Sequence, residues 1–296
     1  MNNQIIKHTN ILIKKDGLHQ TFIKNIAIYK TTKAVPRAPL IYDLCLIIVL
    51  QGEKVGYLGE NVFNYNSHNY LVVPTTIPFE CETIASKEEP FICLLITIDK
   101  KIMYEIIDLI ANKDALNSKC QTSKLGVFSD NVTSQVEDTI LRVLQTLSSK
   151  EESRILGESL LKELYYRIAS GENSYFLHKM FLNTKIEAKI ARSLRTMHEN
   201  YNQHLDIPTL AREEDMSTSS FHTHFKKITT LTPLQYIKKI RLNKAHELLA
   251  QQSFQVNDTA FAIGYESSSQ FSRDFKSFFG YPPKEAKPSF EEYLIV

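Results

Sequence analysis

The sequence predicts an α+β protein of two domains. An N-terminal antiparallel β-barrel with appended helices precedes a C-terminal all-α segment built on two helix-turn-helix units. Three observations lead there. From residue 5 to about 98, short β-prone runs alternate with turn residues and no helical period intervenes. From Lys100 onward the apolar spacing becomes helical. Near the C-terminus one helix–turn–helix pattern occurs twice, about 50 residues apart. A length of 296 residues suits two domains, and 43% hydrophobic with 23% charged residues is the balance of a globular chain rather than a disordered one.

In the N-terminal part, Ile11–Ile13, Thr21–Tyr29, Leu44–Leu50, Lys54–Leu58, Asn69–Val73, Phe79–Ala85 and Phe91–Ile98 read as strands. Turn chemistry separates them at Lys15-Asp16-Gly17, Pro36-Arg37-Ala38-Pro39, Gln51-Gly52-Glu53, Gly59-Glu60-Asn61 and Ser86 to Pro90. Strands at this spacing with no helix between them make an antiparallel sandwich or barrel. Leu44–Leu50 is apolar at every position, so both of its faces must be covered. It is also the longest wholly apolar run and far too short to span a bilayer. Met1-Asn2-Asn3-Gln4 leads into no signal-peptide core. Cys45, Cys81, Cys93 and Cys120 form no Cys-x-x-Cys pair. These features together point to a reduced, cytoplasmic protein with no membrane partner.

The helical period begins with Ile102, Ile106, Leu109 and Ile110. Two longer stripes follow: Val136, Ile140, Leu144 and Leu147 within 132–147, and Leu156, Leu160, Leu164 and Ile168 within 155–168. Two apolar stripes exceed what a small barrel covers, which makes segment 132–168 the expected homodimer surface. Ser170-Gly171-Glu172-Asn173-Ser174 stops the second helix, and a linker is expected between there and Asn183. The domain boundaries are therefore read as 1–175 and 184–290.

From Lys185 to about Tyr201 a helix carries Ile186, Ile190, Leu194 and Met197 inside. The first helix-turn-helix, about 207–228, has Ile207, Leu210 and Ala211 on its first helix. A turn at Asp215-Met216-Ser217 leads to a second helix, Thr218–Ile228, that buries Phe221 and Phe225. Thr232 as N-cap and Pro233 at the first helical position open a long helix. Ile237, Ile240, Ala245, Leu248 and Leu249 give that helix its apolar face. In the second unit, about 256–279, Val256, Ala260 and Ile263 recur at helical spacing. Gly264 turns the chain, Ser267 caps the next helix, and Phe271, Phe275, Phe278 and Phe279 form an apolar stripe. Gly280 and Pro282-Pro283 close it. The opposite face carries Ser268, Ser269, Ser272, Arg273 and Lys276, with Asp274 as the only acid on the helix. Short donors and acceptors beside cations are what a helix needs to enter the major groove of DNA. Residues 184–290 hold 15 Lys and Arg against 11 Asp and Glu, a net +4, whereas residues 1–183 hold 20 of each. The excess positive charge thus coincides with the repeated motif, as phosphate binding requires.

Over roughly Lys185 to Pro288 the chain resembles the AraC/XylS family of bacterial transcription regulators. The resemblance rests on Ala-Phe-Ala-Ile-Gly-Tyr-Glu-Ser (260–267), Phe-Ser-Arg-Asp-Phe-Lys (271–276), Phe-Gly-Tyr-Pro-Pro (279–283) and Leu-Thr-Pro-Leu-Gln-Tyr-Ile (231–237). Pro39–Ile98, centred on Leu50-Gln51-Gly52-Glu53-Lys54 and followed by Asn64 to Pro74, resembles the cupin-like sensory domain of one subgroup. The resemblance implies double-stranded operator DNA, RNA polymerase, a small-molecule effector in the barrel and a second copy of the chain as partners. It implies base-facing Ser219, His222 and Thr223 in the first unit, and Ser268, Ser269 and Arg273 in the second. Lys226, Lys227 and Lys276 would bind phosphate, and Thr218 and Ser267 would offer helix N-termini to it. Two departures stand out: Asp215 occupies a turn position that is often small or glycine, and Thr230 stands where a helix-ending glycine is usual. Ser219 and Thr223 are small, so the first unit is expected to read few bases directly.

Near the expected barrel mouth, Arg37, Tyr42, Tyr57 and Tyr70 are the candidate ligand-binding residues. Catalysis is not expected. A metal cupin needs several His and a Glu on one ion, and residues 1–98 hold only His8, His19 and His68, widely separated. No glycine-rich phosphate loop and no Gly-x-Ser-x-Gly occurs, so no catalytic residue, metal or cofactor is assigned. Two alternatives stay open: a thiol-based redox switch using Cys45, Cys81 and Cys93, and an effector-independent regulator whose barrel only dimerises.

Overall fold

The computed structural model describes residues 3–110, 127–181, 186–250 and 254–286. Cys120 and the expected helix start at Lys185 lie outside the described residues.

The chain opens with a helix, α1 (Asn3–Leu12), where Ile11–Ile13 had the composition of a strand. Spacing overrides β-propensity here. Ile5, Thr9 and Ile13 recur every four residues and are all buried, and the Thr9 hydroxyl donates to the Ile5 carbonyl.

Ten strands follow among the described residues: β1 (Gly17–Gln20), β2 (Ile26–Thr31), β3 (Val35–Tyr42), β4 (Cys45–Gln51), β5 (Glu53–Leu58), β6 (Asn61–Asn66), β7 (Asn69–Val73), β8 (Ile77–Ile84), β9 (Phe91–Thr97) and β10 (Phe128–Asn131). They form two antiparallel sheets, ordered β1-β2-β9-β4-β7-β10 and β3-β8-β5-β6. The sheets face each other without closing into one continuous barrel. Pro36-Arg37-Ala38-Pro39, expected as a turn, lies inside β3. That strand is an edge with a bulge between Val35 and Ala38, where prolines lacking an N–H are tolerated.

The first sheet is the middle layer, as the all-apolar run at β4 requires. Leu46, Ile48 and Leu50 of β4 face one core, and Ile47 and Val49 face the other. The helices α2 (Lys100–Ile110), α3 (Ser134–Thr146), α4 (Lys150–Ala169) and α5 (Tyr175–Phe181) supply the first core, and the second sheet supplies the other. Val136, Ile140, Leu144 and Leu147 are at most 3% exposed, and Leu160, Leu164 and Ile168 are buried with them. Both long stripes are therefore used inside the chain, and only Leu156 of the named residues faces outward. Leu109 also points to solvent, because the packed side of α2 is Met103, Ile106 and Ile107. The expected linker instead contains α5, which buries Phe176, Leu177 and Met180.

Six helices make the described C-terminal half: α6 (Ile186–Glu199), α7 (Ile207–Glu213), α8 (Thr218–Thr229), α9 (Pro233–Ala250), α10 (Val256–Ala262) and α11 (Ser268–Phe279), followed by a 3-10 turn. Ile186, placed inside by its spacing, is exposed at the first turn of α6, ahead of the buried Ile190, Leu194 and Met197. The helix-side core continues through α6, α7, α8 and the first half of α9, whereas α10, α11 and the second half of α9 enclose a core of their own.

The halves also meet through polar contacts. The buried Tyr236 hydroxyl of α9 donates to the Thr76 carbonyl between β7 and β8, at 2.9 Å. Lys239 approaches Glu80 of β8 at 3.9 Å. Tyr236→Phe keeps the ring against Phe225 (centroids 5.4 Å apart) and strands the carbonyl. It is expected to cost about 1–2 kcal/mol in urea unfolding. An unchanged midpoint would show that this bond does not help to join the halves.

Candidate nucleic-acid interface

Helices α8 and α11 are built alike. Ser217 and Ser267 cap them, each hydroxyl accepting from the backbone N–H three residues on, Ser220 and Gln270. Within α8 the Phe221 and Phe225 rings lie 5.6 Å apart, and within α11 the Phe271 and Phe275 rings also lie 5.6 Å apart. All four are fully buried. The turns repeat at the level of the backbone: Met216 N–H donates to the Ala211 carbonyl at 2.9 Å, and Tyr265 N–H donates to the Ala260 carbonyl at 3.0 Å. Six positions separate Ala211 from the cap Ser217 and seven separate Ala260 from the cap Ser267, so the second turn is one residue longer.

The buried phenylalanines fix which side faces out. Ser219, Thr223, Lys226 and Lys227 of α8 are exposed and His222 is half-buried. Ser269, Arg273 and Lys276 of α11 are exposed, as is Ser267 at its cap, and Ser268 is half-buried. The predicted residues therefore gather on one outward face of each reading helix. Hydrogen bonding refines the picture. The Thr223 hydroxyl is committed to the Ser219 carbonyl at 3.0 Å. Asp274, the one acid of α11, is turned away: it pairs with Lys238 at 2.8 Å and accepts from the Tyr265 hydroxyl at 3.3 Å. The side chains of Arg273 and Lys276 have no hydrogen bond or ion pair among the described residues, so their charge is available to an external anion.

Both departures in the first unit are accommodated by left-handed backbone, Asp215 at φ 48° and Thr230 at φ 64°. Thr230 ends α8 where Gly280 (φ 85°) ends α11. A β-branched residue is strained in this region. It is held by its N–H bond to the Lys226 carbonyl at 2.8 Å and by packing on Gly59 of the β5–β6 turn, where an added Cβ would stand 3.1 Å from the Thr230 side chain.

One organising residue carried no recognisable sequence signal. Arg241 of α9 donates from Nε to the Tyr201 carbonyl (2.7 Å), from Nη1 to the Gly264 carbonyl (2.9 Å) and from Nη2 to the Gln203 carbonyl (2.9 Å). It ties the α6–α7 loop to the turn of the second unit. Gly264 has φ 86°, and a Cβ there would collide with the Asn202 carbonyl. The partners of Arg241 lie 23 to 40 residues away, so no local spacing announces them.

The candidate ligand-binding residues do not converge. The Arg37 guanidinium lies over the Tyr57 ring at 3.9 Å and pairs with Glu80 at 2.7 Å, on the outer side of the second sheet. Tyr42 is buried between the sheets, its hydroxyl 3.0 Å from that of Tyr65. Tyr70 is buried on the helix side of the first sheet. Between the sheets, Tyr29, Tyr42, Tyr65, Phe79 and Phe91 fill the space, with the Lys54 ammonium 5.8 Å from the Tyr42 ring and 5.9 Å from the Phe91 ring. Cys81 and Cys93 are buried, Cys45 is half-buried, and burial pushes the Cys45 thiol well above its usual range. Among the described residues no group of three or more His, Cys, Asp or Glu could hold a metal ion, and no helix is long and apolar enough to cross a membrane.

Comparison with known proteins accords with this geometry. The family model described as the AraC-type transcriptional regulator N-terminus matches residues 22–175, and a helix-turn-helix domain model matches residues 210–288. The chain is similar to the HTH-type transcriptional activator RhaS of Escherichia coli, 21% identical over 241 residues, which cover 80% of this chain and 84% of that protein. It is also similar to the Msm operon regulatory protein of Streptococcus mutans, 26% identical over 149 residues, covering 50% of this chain and 52% of the other. Among solved structures, unsaturated fatty acid bound ToxT from Vibrio cholerae superimposes with a TM-score of 0.57 at 14% identity, covering 95% of this chain and 97% of that one. At that identity the likeness is one of fold.

The three carbonyls on Arg241 generate a prediction. Arg241→Ala should lower stability by roughly 2–4 kcal/mol, measured by chemical unfolding. Arg241→Lys should recover little of this, because one ammonium cannot span three carbonyls. Full recovery by lysine would mean that charge rather than the guanidinium fork holds the turn.

Proposed function

This chain belongs to the AraC-type transcriptional regulators, and from that premise we propose that it binds its operator with Ser219, His222 and Thr223 of α8 and Ser268, Ser269 and Arg273 of α11. It is a DNA-binding regulator of a family of transcription factors, not of catalysts. The observation that carries the residue assignment is the pair of reading helices, each with two buried phenylalanines behind a small, polar and cationic outer face. Helix α9 sets their separation. Its 18 residues span about 27 Å at 1.5 Å per residue, close to the ~34 Å of one duplex turn, so both helices can address one side of the DNA. Lys226, Lys227 and Lys276 take phosphates, and the capped N-termini of α8 and α11, at Ser217–Thr218 and Ser267, take others.

Residues 1–175 form the regulatory half and residues 184–290 the DNA-binding half. A small molecule controls the regulator. ToxT, which shares this fold, is known with an unsaturated fatty acid bound, which supports a ligand-responsive reading over an effector-independent one. Cys81 and Cys93 are buried and the half-buried Cys45 thiol is pushed above its usual range, so the described thiols give the redox alternative no exposed, low-pKa sulfur to act through. RNA polymerase and a second copy of the chain complete the partners. Because the stripes of α3 and α4 are buried within the protomer, the dimer contact falls on the outer side of α4, where Ile155 is 68% and Leu156 46% exposed.

Arg273→Ala should relax sequence preference at one base pair and cost about 1–3 kcal/mol at the preferred operator. Arg273→Lys should restore affinity without restoring preference, and Lys276→Ala should weaken all sequences alike while flattening the salt slope by about one unit. Selections on randomised operators decide between these roles, and equal loss on every sequence for Arg273→Ala would make Arg273 a phosphate clamp. For the dimer, Ile155→Glu with Leu156→Glu should sediment as a folded monomer. An unchanged folded dimer would remove α4 from the interface.

A further inference from the structure

A cavity of about 270 Å3 lies where the two halves meet. Its walls come from Asp43 and Leu44 before β4, from Pro74 to Thr76 after β7, and from α2, α5 and α6. Four charged side chains line it: Lys100 of α2, Arg195 and Glu199 of α6, and Asp43. Among the described residues no ion pair joins any two of them, although Arg195 and Glu199 stand four apart on one helix, the spacing at which opposite charges meet. His198 lines the same cavity, and its Nδ1 is buried without a hydrogen-bond partner among the described residues. Burial holds this imidazole below its usual pKa, against a smaller upward pull from Asp43. At neutral pH it therefore offers one donor and one acceptor nitrogen. Lys100, Arg195 and Glu199 are exposed, and one oxygen of Asp43 accepts from the Leu44 N–H and the Thr76 hydroxyl. The buried unpartnered atom on the wall is thus His198 Nδ1, and a buried polar atom facing a cavity marks a place where a ligand supplies the missing partner.

We propose that this cavity binds a small zwitterion, with one carboxylate and one ammonium group on a compact body, the chemistry of a free amino acid. The balance of charge selects the class. Lys100 and Arg195 suit a carboxylate, and Asp43 and Glu199 suit an ammonium group. A simple carboxylic acid would engage only the two cations of the wall, a simple amine only the two carboxylates, and a neutral polyol neither as an ion partner, whereas a zwitterion engages both. The volume falls just below the roughly 300–1,000 Å3 of drug-sized sites, which sets the ligand at amino-acid size. Met180 and Phe181 give the body an apolar wall.

The site deepens the reading that a small molecule controls this regulator and rests on it, and its wall reaches the DNA-binding half. Asp43 accepts from the Thr76 hydroxyl, the Thr76 carbonyl accepts from Tyr236, and Tyr236 packs on Phe225 of α8. A ligand drawing on Asp43 acts at the head of this chain of contacts.

The test is calorimetric titration of the full-length protein with each of the common L-amino acids. It is followed, for any binder, by titration with the corresponding deaminated acid and decarboxylated amine. The expected result is one or a few binders whose two half-analogues bind about tenfold or more weakly. Arg195→Ala and Glu199→Gln, both exposed positions, should each weaken the amino acid by a similar factor with the fold intact by circular dichroism. His198→Gln, which keeps a donor and an acceptor, should retain more affinity than His198→Leu. Absence of binding by every amino acid, half-analogues that bind as tightly as the parent, or indifference to the Arg195 and Glu199 substitutions would each overturn the site. Operator affinity measured with and without the ligand is a separate arm. Binding that leaves operator affinity unchanged upholds the site and removes the control, whereas no binding beside intact operator recognition removes the site alone.

Discussion

Helix α9 packs against three bodies at once, and the shape of the DNA-binding half depends on that constraint. Tyr236, Ile237 and Ile240 enter the core of the first helix-turn-helix; Leu242, Ala245 and Leu249 enter the core of the second. Tyr236 and Lys239 meanwhile reach the sheets through Thr76 and Glu80. A helix buried on several sides has little freedom to rotate or slide, since each rotation exposes apolar area at one contact while covering it at another. The relative placement of α8 and α11 is thus held by packing along the whole length of α9 rather than by the loops at its ends, and Arg241 adds a polar clamp to the same helix.

The two reading units are tied to the rest of the molecule unequally. The first shares one continuous core with the sheet-covering helices, and Thr230 at the end of α8 rests on the β5–β6 turn. The second has a core of its own, dominated by the rings of Phe275, Phe279 and Tyr281 around His246, with Phe271 packed between Tyr265 and Phe275. The N-terminal half thus touches the end of α8 at the β5–β6 turn, and it meets the second unit where α9 and α11 pack on β3. This asymmetry parallels the chemistry of the two faces. The first carries small or committed hydroxyls, and the second an unengaged arginine.

The outward faces owe their positive character to where the acids go. Asp274 is only one position from Arg273, yet it is drawn inward by Lys238 and Tyr265. Glu214, at the end of α7, is likewise taken up by Arg192. Each of these pairs neutralises a cation of the same segment together with its acid, so the positive character of the outward faces rests on the exposed Lys226, Lys227, Arg273 and Lys276.

Much of this was legible in the chain itself. The two-faced burial of β4, the paired phenylalanines at four-residue spacing, the serine caps and the tolerance of Asp215 for a left-handed turn all follow from local rules of period, capping and backbone sterics, which act over a few residues and so leave a mark in the sequence. Resemblance to a known family supplied the assignment of individual base-facing positions. Tertiary structure alone decided the remainder. Ile11 and Leu12 became helical because burial, not β-propensity, ruled there; Pro36–Pro39 joined a strand because an edge with a bulge tolerates proline. The α3 and α4 stripes were spent on the first sheet instead of a second subunit, and the space between two unclosed sheets was filled with aromatic rings, which scattered Arg37, Tyr42, Tyr57 and Tyr70 to three separate surroundings. Arg241 and the cavity at Asp43 and His198 had no sequence signature, since each depends on groups tens to more than a hundred residues apart that meet only when the layers pack.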